Sequence, residues 1–111
     1  MHSTADHVCV FVTAPSVTVA RKVAMNVLTD RLAACANLVP KIESHYWWQE
    51  KLESSTEVLI IFKTAKSRLA ELEKCVVRNH PYDTPEIIVF NLNEGSEKYL
   101  NWISSSVQPR E

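Results

Sequence analysis

Three short segments of this 111-residue chain are apolar at every consecutive position. They are VCVFV at 8–12, VLIIF at 58–62 and IIVF at 87–90. A strand with one face in water alternates apolar and polar residues, whereas a strand covered on both faces is apolar throughout. These segments therefore predict a β-sheet whose two faces are both buried.

Two amphipathic helices are predicted between the apolar strands, over residues 16–31 and 66–79. In each of them apolar residues recur at helical spacing, with polar and charged residues on the opposite side. Ser16, which follows a proline, is a suitable N-cap for the first helix. Each helix thus has one face that must pack against the sheet.

The remaining segments complete the order of elements. EKLESS at 50–55 is predicted to be a polar turn, and Ser96 is predicted to cap a short C-terminal helix. The predicted strands cover about 7–14, a long segment at 35–49 that is kinked at Pro40, 56–64 and 86–92.

The order β-α-β-β-α-β-α predicts an α+β domain of the ferredoxin-like type. Two split βαβ units with right-handed crossovers give an antiparallel sheet with both main helices on one face. A β-rich barrel is the alternative, and the two well-patterned helices argue against it. Two helices and a short third one cannot cover both faces, so the second face is predicted to be buried against another copy of the chain. The long strand at 35–49 and its hairpin partner are expected to project toward such copies.

Composition limits the partners and the location of the protein. The length predicts one domain over 1–111 with an ordered core at about 8–106. The formal net charge is −1 and the basic residues are dispersed, so neither nucleic acid nor an anionic membrane is an expected partner. No apolar run is long enough for a membrane span and the amino terminus does not resemble a signal peptide, which predicts a soluble, cytoplasmic protein.

Glycine and cysteine usage excludes further classes of site. Gly95 is the single glycine, whereas phosphate-binding loops and dinucleotide folds need several glycines for close backbone approach. Cys9, Cys35 and Cys75 match no zinc-binding spacing and lie among apolar neighbours, so free thiols in a reducing compartment are expected.

Six ordered motifs resemble those of the CutA family of divalent-cation-tolerance proteins. They are VTAP, RLAACANLVP, ESHYWWQEKLE, EVLIIFKT, NHPYDTPEII and GSEKYLNWI, and together they span about residues 8–106. The resemblance implies a ferredoxin-like subunit that assembles as a homotrimer. It also implies tolerance of copper and other divalent metals, and a fold and trimer similar to those of the PII signalling proteins.

The resemblance also implies a metal ligand. In the bacterial member associated with copper, the proposed ligands are a cysteine before TAP and two adjacent histidines before PY. This chain has Val12, Asn79 and His80 at those three places, so His80 is the one ligand that the resemblance carries over for Cu²⁺ or another divalent metal. Alternatively, His80 ends the second helix and its ring forms local hydrogen bonds.

An inter-subunit cleft is the second site that the resemblance implies. It places Trp48, Lys63, His80, Tyr82 and Glu86 around the same end of the sheet, where they are predicted to line the cleft. For Lys63 and Glu86, an ion pair that orients the trimer is the alternative.

Two functions are consistent with these features. The first is a homotrimer that binds divalent metal, copper above all, and takes part in tolerance of metal ions or the response to them. The second is a signalling or scaffold protein, similar in shape to the PII proteins, that binds a ligand or a protein partner at the inter-subunit cleft. No serine, histidine and aspartate series is recognisable, so the chain is not expected to be an enzyme.

Overall fold

A computed structural model describes residues 2–3 and 6–109 of the chain. The strands are β1 (His2–Ser3), β2 (His7–Ala14), β3 (Cys35–Trp48), β4 (Lys51–Ala65), β5 (Ile87–Asn91) and β6 (Glu94–Gly95). The helices are α1 (Val17–Thr29), α2 (Leu69–Asn79), which a short 3₁₀ turn at Lys66–Arg68 precedes, and α3 (Glu97–Ser106).

The main sheet has four strands in the order β3-β4-β2-β5, and every neighbouring pair is antiparallel. With two intervening helices, this order confirms the predicted ferredoxin-like α+β fold. A second pair, β1 with β6, is two residues long on each side and was not predicted, because two-residue strands leave no periodic pattern.

One face of the sheet packs against α1 and α2, and we call it the helix face. Val8, Val10 and Val12 of β2 lie on it beside Ile60 and Phe62 of β4, and all five are fully buried. They form one cluster with the apolar stripes of both helices. The predicted core face of each helix is therefore confirmed.

The opposite face of the sheet, here called the second face, carries the alternate residues. Cys9, Phe11 and Thr13 of β2 lie opposite Lys63, Ile61 and Leu59 of β4. Helix α3 covers one end of this face: Nε2 of His7 lies 2.7 Å from Oγ of Ser104, and the Tyr99 hydroxyl lies 3.9 Å from Sγ of Cys35. We call this region, around Lys63, the α3 end.

The middle of the second face has no cover within the described chain. Ile88 and Phe90 of β5 are 48% and 47% exposed, and Val39 of β3 is exposed as well. The Phe90 ring packs against Phe11 of the same sheet, at a centroid distance of 4.9 Å. An apolar patch of this kind on a sheet marks an interaction surface.

The hairpin between β3 and β4 differs from its prediction. Residues 50–55 do not form a turn, because β4 already begins at Lys51 and pairs with β3 to the tip. The turn consists of Gln49 and Glu50 alone, with φ of 48° and 65°. The kink predicted at Pro40 is confirmed as a shift of register between Val39 and Ile42.

Candidate functional site

A cleft of about 950 Å³ lies at the end of the second face away from α3. Strand β2 supplies Thr13, β4 supplies Glu57, and Glu86 immediately precedes β5. Because side chains alternate along a strand, these three residues share a face with Leu59 and Ile88. The lining also includes residues 43–48 of β3 and residues 81–84 of the loop after α2.

His80 fixes the loop that closes the cleft. Helix α2 ends at Asn79 because the residue before a proline is driven out of the helical region, and His80 has extended backbone angles. The His80 ring is buried, its Nε2 lies 2.6 Å from the carbonyl oxygen of Thr13, and its Nδ1 accepts the Tyr82 N–H at 3.1 Å. These partners require a proton on Nε2, so His80 donates to the end of β2 and accepts from the loop.

Tyr82 connects this loop to the buried carboxylate of Glu57. The Tyr82 hydroxyl donates to Oε2 of Glu57 at 2.9 Å, and the Tyr82 ring lies 4.7 Å from the His80 ring. Burial, the hydrogen bond to Glu57 and the negative charge of Glu57 raise the pKa of Tyr82 to about 12. The hydroxyl is therefore held as a donor at neutral pH.

Neither Glu57 nor Glu86 has a basic partner among the described residues. Glu57 is only 7% exposed. Burial, and then the negative charge of Glu57, raise the pKa of Glu86. Among residues 6–109, no lysine or arginine forms a salt bridge with either acid, and the cleft lining contains no lysine or arginine. The cleft is thus an anionic environment.

Aromatic side chains form the wall along β3. Tyr46 and Trp48 lie on the same side of the hairpin as Glu57, since Ile42 is the register partner of Glu57 and side chains alternate. Tyr46 and Trp48 are 41% and 44% exposed. The cleft therefore combines buried acid at its base with aromatic surface along its length.

Four of the five predicted cleft residues lie at this end of the sheet, and Lys63 does not. Trp48, Tyr82 and Glu86 line the cleft, and His80 anchors its loop. Lys63 lies six residues beyond Glu57 on β4, about 20 Å along the strand. Within one chain Lys63 donates to Oδ1 of Asn37 at 3.0 Å and lies over the Tyr99 ring, so it does not pair with Glu86.

The side chains of one chain do not present a ready copper site. Within the described part of the chain, no group of three or more His, Cys, Asp and Glu side chains is arranged to hold a metal ion. Both ring nitrogens of His80 already have hydrogen-bond partners. At the other two ligand positions, Val12 is buried on the helix face and Asn79 donates to the carbonyl of Cys75.

Glu57 is a residue of the cleft that the sequence did not single out. It immediately precedes the apolar run of β4 and falls within the strand predicted at 56–64. Its position in the alternation of β4 could have indicated it, because Glu57 lies on the second face together with Leu59 and Ile61. A carboxylate in line with that apolar row is buried when the loop after α2 folds over it.

A serine, histidine and acid series also escaped the sequence analysis. His45 and Ser54 face each other across the hairpin, with Nδ1 2.7 Å from Oγ, and Nε2 of His45 lies 2.7 Å from Glu43. The side chains of His45 and Glu43 are 57% and 79% exposed. We assign this exposed series to the stability of the hairpin, since cross-strand polar pairs of this kind stabilise a sheet modestly.

Comparison with known proteins identifies relatives over nearly the whole chain. Residues 8–106 match the family model described as CutA1 divalent ion tolerance protein. A chloroplastic CutA 1 protein of Oryza sativa subsp. japonica is 40% identical over 106 residues, which are 96% of this chain and 60% of that protein. The divalent-cation tolerance protein CutA of Escherichia coli O45:K1 (strain S88 / ExPEC) is 41% identical, with 96% and 95% covered.

Solved structures agree with the sequence comparison. The crystal structure of CutA1 from Oryza sativa matches with a TM-score of 0.90 at 39% identity, covering 96% of this chain and 98% of that one. The chain spans about three fifths of the length of the plant proteins that it matches. No helix within the described residues is long and apolar enough to cross a membrane.

Proposed function

Because this chain belongs to the CutA1 family of divalent ion tolerance proteins, we propose that it is a homotrimer that binds divalent metal ions, copper among them, and contributes to tolerance of those ions. The observation that carries the metal proposal is the pair of carboxylates, Glu57 and Glu86, that share an anionic cleft without a basic partner among the described residues. The proposed role is one of binding and response rather than catalysis.

One chain supplies part of a metal site in this proposal. Glu57 and Glu86 offer oxygen donors, which suit hard divalent cations such as Mn²⁺ or Mg²⁺ better than they suit copper. A Cu²⁺ site at His80 requires His80 to release the Thr13 carbonyl or the Tyr82 N–H, since each occupies one ring nitrogen. The proposal therefore places the metal at the carboxylates, with further donors from a neighbouring copy.

Metal titration of the purified protein tests this placement. We expect Glu57→Gln and Glu86→Gln to weaken Mn²⁺ binding at least tenfold, because each change removes an anionic donor. His80→Ala is the matched test of the copper site. If this variant binds one Cu²⁺ fewer than the wild type, His80 is a copper ligand. The amino terminus and His2 give a Cu²⁺ background that all variants share. Unchanged binding of both metals in all three variants contradicts the proposal.

The homotrimer is supported by the uncovered middle of the second face. Ile88, Phe90 and Val39 are exposed there, on a sheet that is apolar on both sides. Burying such a surface against other copies removes it from water and contributes roughly 25 cal/mol per Å². The projecting β3–β4 hairpin gives each copy an edge with which to reach its neighbour.

Light scattering at micromolar concentration tests the assembly. We expect the mass of three chains for the wild type and the mass of one chain for Phe90→Asp, because a carboxylate on the second face opposes burial. Lys98→Asp, on the exposed side of α3, is the control and should keep the larger mass. A wild type with the mass of one chain would refute the homotrimer.

A second function, ligand-dependent signalling at the same cleft, is favoured by the size of the cleft. A volume of about 950 Å³ lies within the range of small-molecule sites and far exceeds the space that one metal ion needs. Trp48 and Tyr46 give it aromatic surface that a metal does not use. In this function the homotrimer acts as a sensor or scaffold, as in the PII proteins.

We propose a reducing compartment, the cytoplasm, as the location of the protein. Cys9, Cys35 and Cys75 are all free. Free thiols are typical of a reducing compartment. The plant relatives are described as chloroplastic. Cell fractionation of the tagged protein in its source organism tests the location.

A further inference from the structure

We propose that the cleft binds an organic cation, a ligand with an ammonium group at one end and an apolar body at the other. The ammonium group binds between Glu57 and Glu86, and the apolar body lies along Tyr46 toward Trp48. This inference rests on the second proposed function, ligand binding in the cleft, and it names the chemical class of that ligand.

The charge of the lining selects a cation. Four acidic residues line the cleft, Glu43, Glu57, Asp83 and Glu86. The lining contains no lysine or arginine, and its one imidazole, that of His45, pairs with Glu43. The acids Glu57 and Glu86 would repel an anionic ligand, and a neutral ligand would leave them without a counter-charge. Electrostatic complementarity therefore requires a positive group on the ligand.

Glu57 marks the position of that positive group. It is more than nine-tenths buried, and its Oε2 accepts the Tyr82 hydroxyl. Its other oxygen, Oε1, accepts no hydrogen bond from the described residues, and it is accessible rather than fully buried, so a ligand in the cleft can reach it. A buried carboxylate needs a charge or several donors to offset desolvation, and one phenol provides a single donor. An ammonium group, with three N–H donors, supplies what Glu57 and Glu86 lack.

The shape of the cleft selects an extended organic ligand. Trp48 lies six residues beyond Ile42, the register partner of Glu57, so the cleft extends for about 20 Å along the hairpin, with Tyr46 and Trp48 at its far part. Tyr46 and Tyr82 both line the cleft. A bare ion contacts only the carboxylate end of this surface, whereas an amine with an apolar chain also buries the rings.

Calorimetric titration with a matched set of probes tests the inference on the full chain. The probes are 4-phenylbutylamine, the neutral 4-phenylbutanol and the anionic 4-phenylbutyrate. We expect the amine to bind at least about tenfold more tightly than the alcohol, the value of one hydrogen bond to a charged group, and the acid not to bind. Added salt should weaken the binding of the amine and leave the binding of the alcohol unchanged.

Variants separate the two ends of the ligand. Glu57→Gln should reduce the affinity for the amine about tenfold without changing the affinity for the alcohol. Tyr46→Ala should weaken the binding of both probes. Glu71→Gln, a carboxylate on α2 whose partner is Lys74, is the control and should change neither. Because Tyr46→Ala keeps both acids, Mn²⁺ binding should survive in it, which separates failure of this inference from failure of the metal proposal.

Three results overturn the inference. The first is equal affinity for amine and alcohol, since the charge would then contribute nothing. The second is amine binding that Glu57→Gln does not reduce. The third is the absence of binding by any probe to a homotrimer of correct mass, which would assign the cleft to a neighbouring copy of the chain.

Discussion

The two ends of the second face carry opposite charges and are covered in different ways. At the α3 end, Lys63 donates to Asn37 and lies over the Tyr99 ring, so the chain itself supplies its partners. At the cleft end, Glu57 has one donor, Tyr82, and Glu86 has no basic partner among the described residues. Both ends belong to the same strands and the same side-chain parity.

The difference follows from the use of the third helix. The apolar side of α3 and the residue after it are buried, at Leu100, Ile103 and Val107. The α3 end of the sheet is therefore covered within one chain. The cleft end receives only the loop after α2, which covers Glu57 and leaves the cleft accessible. The covered α3 end contributes to the stability of the fold, whereas the open, charged cleft end is accessible to a ligand.

The largest expected effect comes from removing the cover of the α3 end. Ile103→Ala deletes a fully buried side chain of α3, and we expect the free energy of unfolding to fall by about 2–5 kcal/mol. Urea denaturation at a fixed chain concentration measures it, since assembly also contributes to stability. Asn101→Ala, a change at an exposed position of the same helix, should alter the free energy of unfolding by no more than about 0.5 kcal/mol. Equal losses in both variants would mean that α3 does not anchor this end.

His80→Ala should produce the next largest effect, at the cleft end. It leaves the Thr13 carbonyl and the Tyr82 N–H without their partner, and we expect a loss of about 1–3 kcal/mol. The same denaturation measurement applies, with Asp83→Ala, an exposed residue of the same loop, as the control. A loss no greater than that of Asp83→Ala would show that the loop does not depend on His80.

The sequence predicted the fold because fold and periodicity are directly linked. Runs that are apolar at every position, such as 87–90, indicated three of the strands, and recurrence at helical spacing indicated the two main helices. The same runs predicted that the second face of the sheet needs a cover that these helices do not provide. The site was harder, since its position depends on register. Lys63 and Glu57 share a parity but lie at opposite ends of β4, and local sequence does not distinguish those ends. The exposed hairpin turn was also misplaced, because Gln49 and Glu50 are not typical turn residues.

That turn gives a prediction about the aromatic wall of the cleft. Gln49 and Glu50 both have positive φ, as in a type I′ hairpin turn, which favours asparagine followed by glycine. We expect the double change Gln49→Asn and Glu50→Gly to stabilise the protein by about 1 kcal/mol, because it relieves strain without touching either end of the second face. Urea denaturation measures the gain.

Glu50→Ala is the matched control for the turn. Alanine has a Cβ, so it keeps the strain of a positive φ and should give no gain. If the alanine variant were as stable as the asparagine and glycine variant, the backbone strain at the tip would not be the cause. Amine binding in the cleft should be the same in both variants, because Tyr46 and Trp48 keep their register.

The smallest expected effect is a change with pH, and it reports the charge of the cleft. Burial, and then the hydrogen bond to Glu57 and its charge, raise the pKa of Tyr82 from the ordinary 10 to about 12. As pH rises from 10 to 12, the unfolded chain loses the phenolic proton first, so the stability that Tyr82 contributes below pH 10 is lost toward pH 12. The phenolate absorbance of wild type minus Tyr82→Phe gives this titration directly.

Glu57→Gln separates the causes of that pKa shift. Glutamine at this position has no charge, so the contributions of the Glu57 carboxylate disappear, whereas burial and then Tyr46 continue to raise the pKa of Tyr82. The titration should therefore move back toward 10 without reaching it. A titration that Glu57→Gln leaves unchanged would mean that the carboxylate at the base of the cleft carries no charge, and the contrast between an anionic cleft end and a cationic α3 end would then be lost.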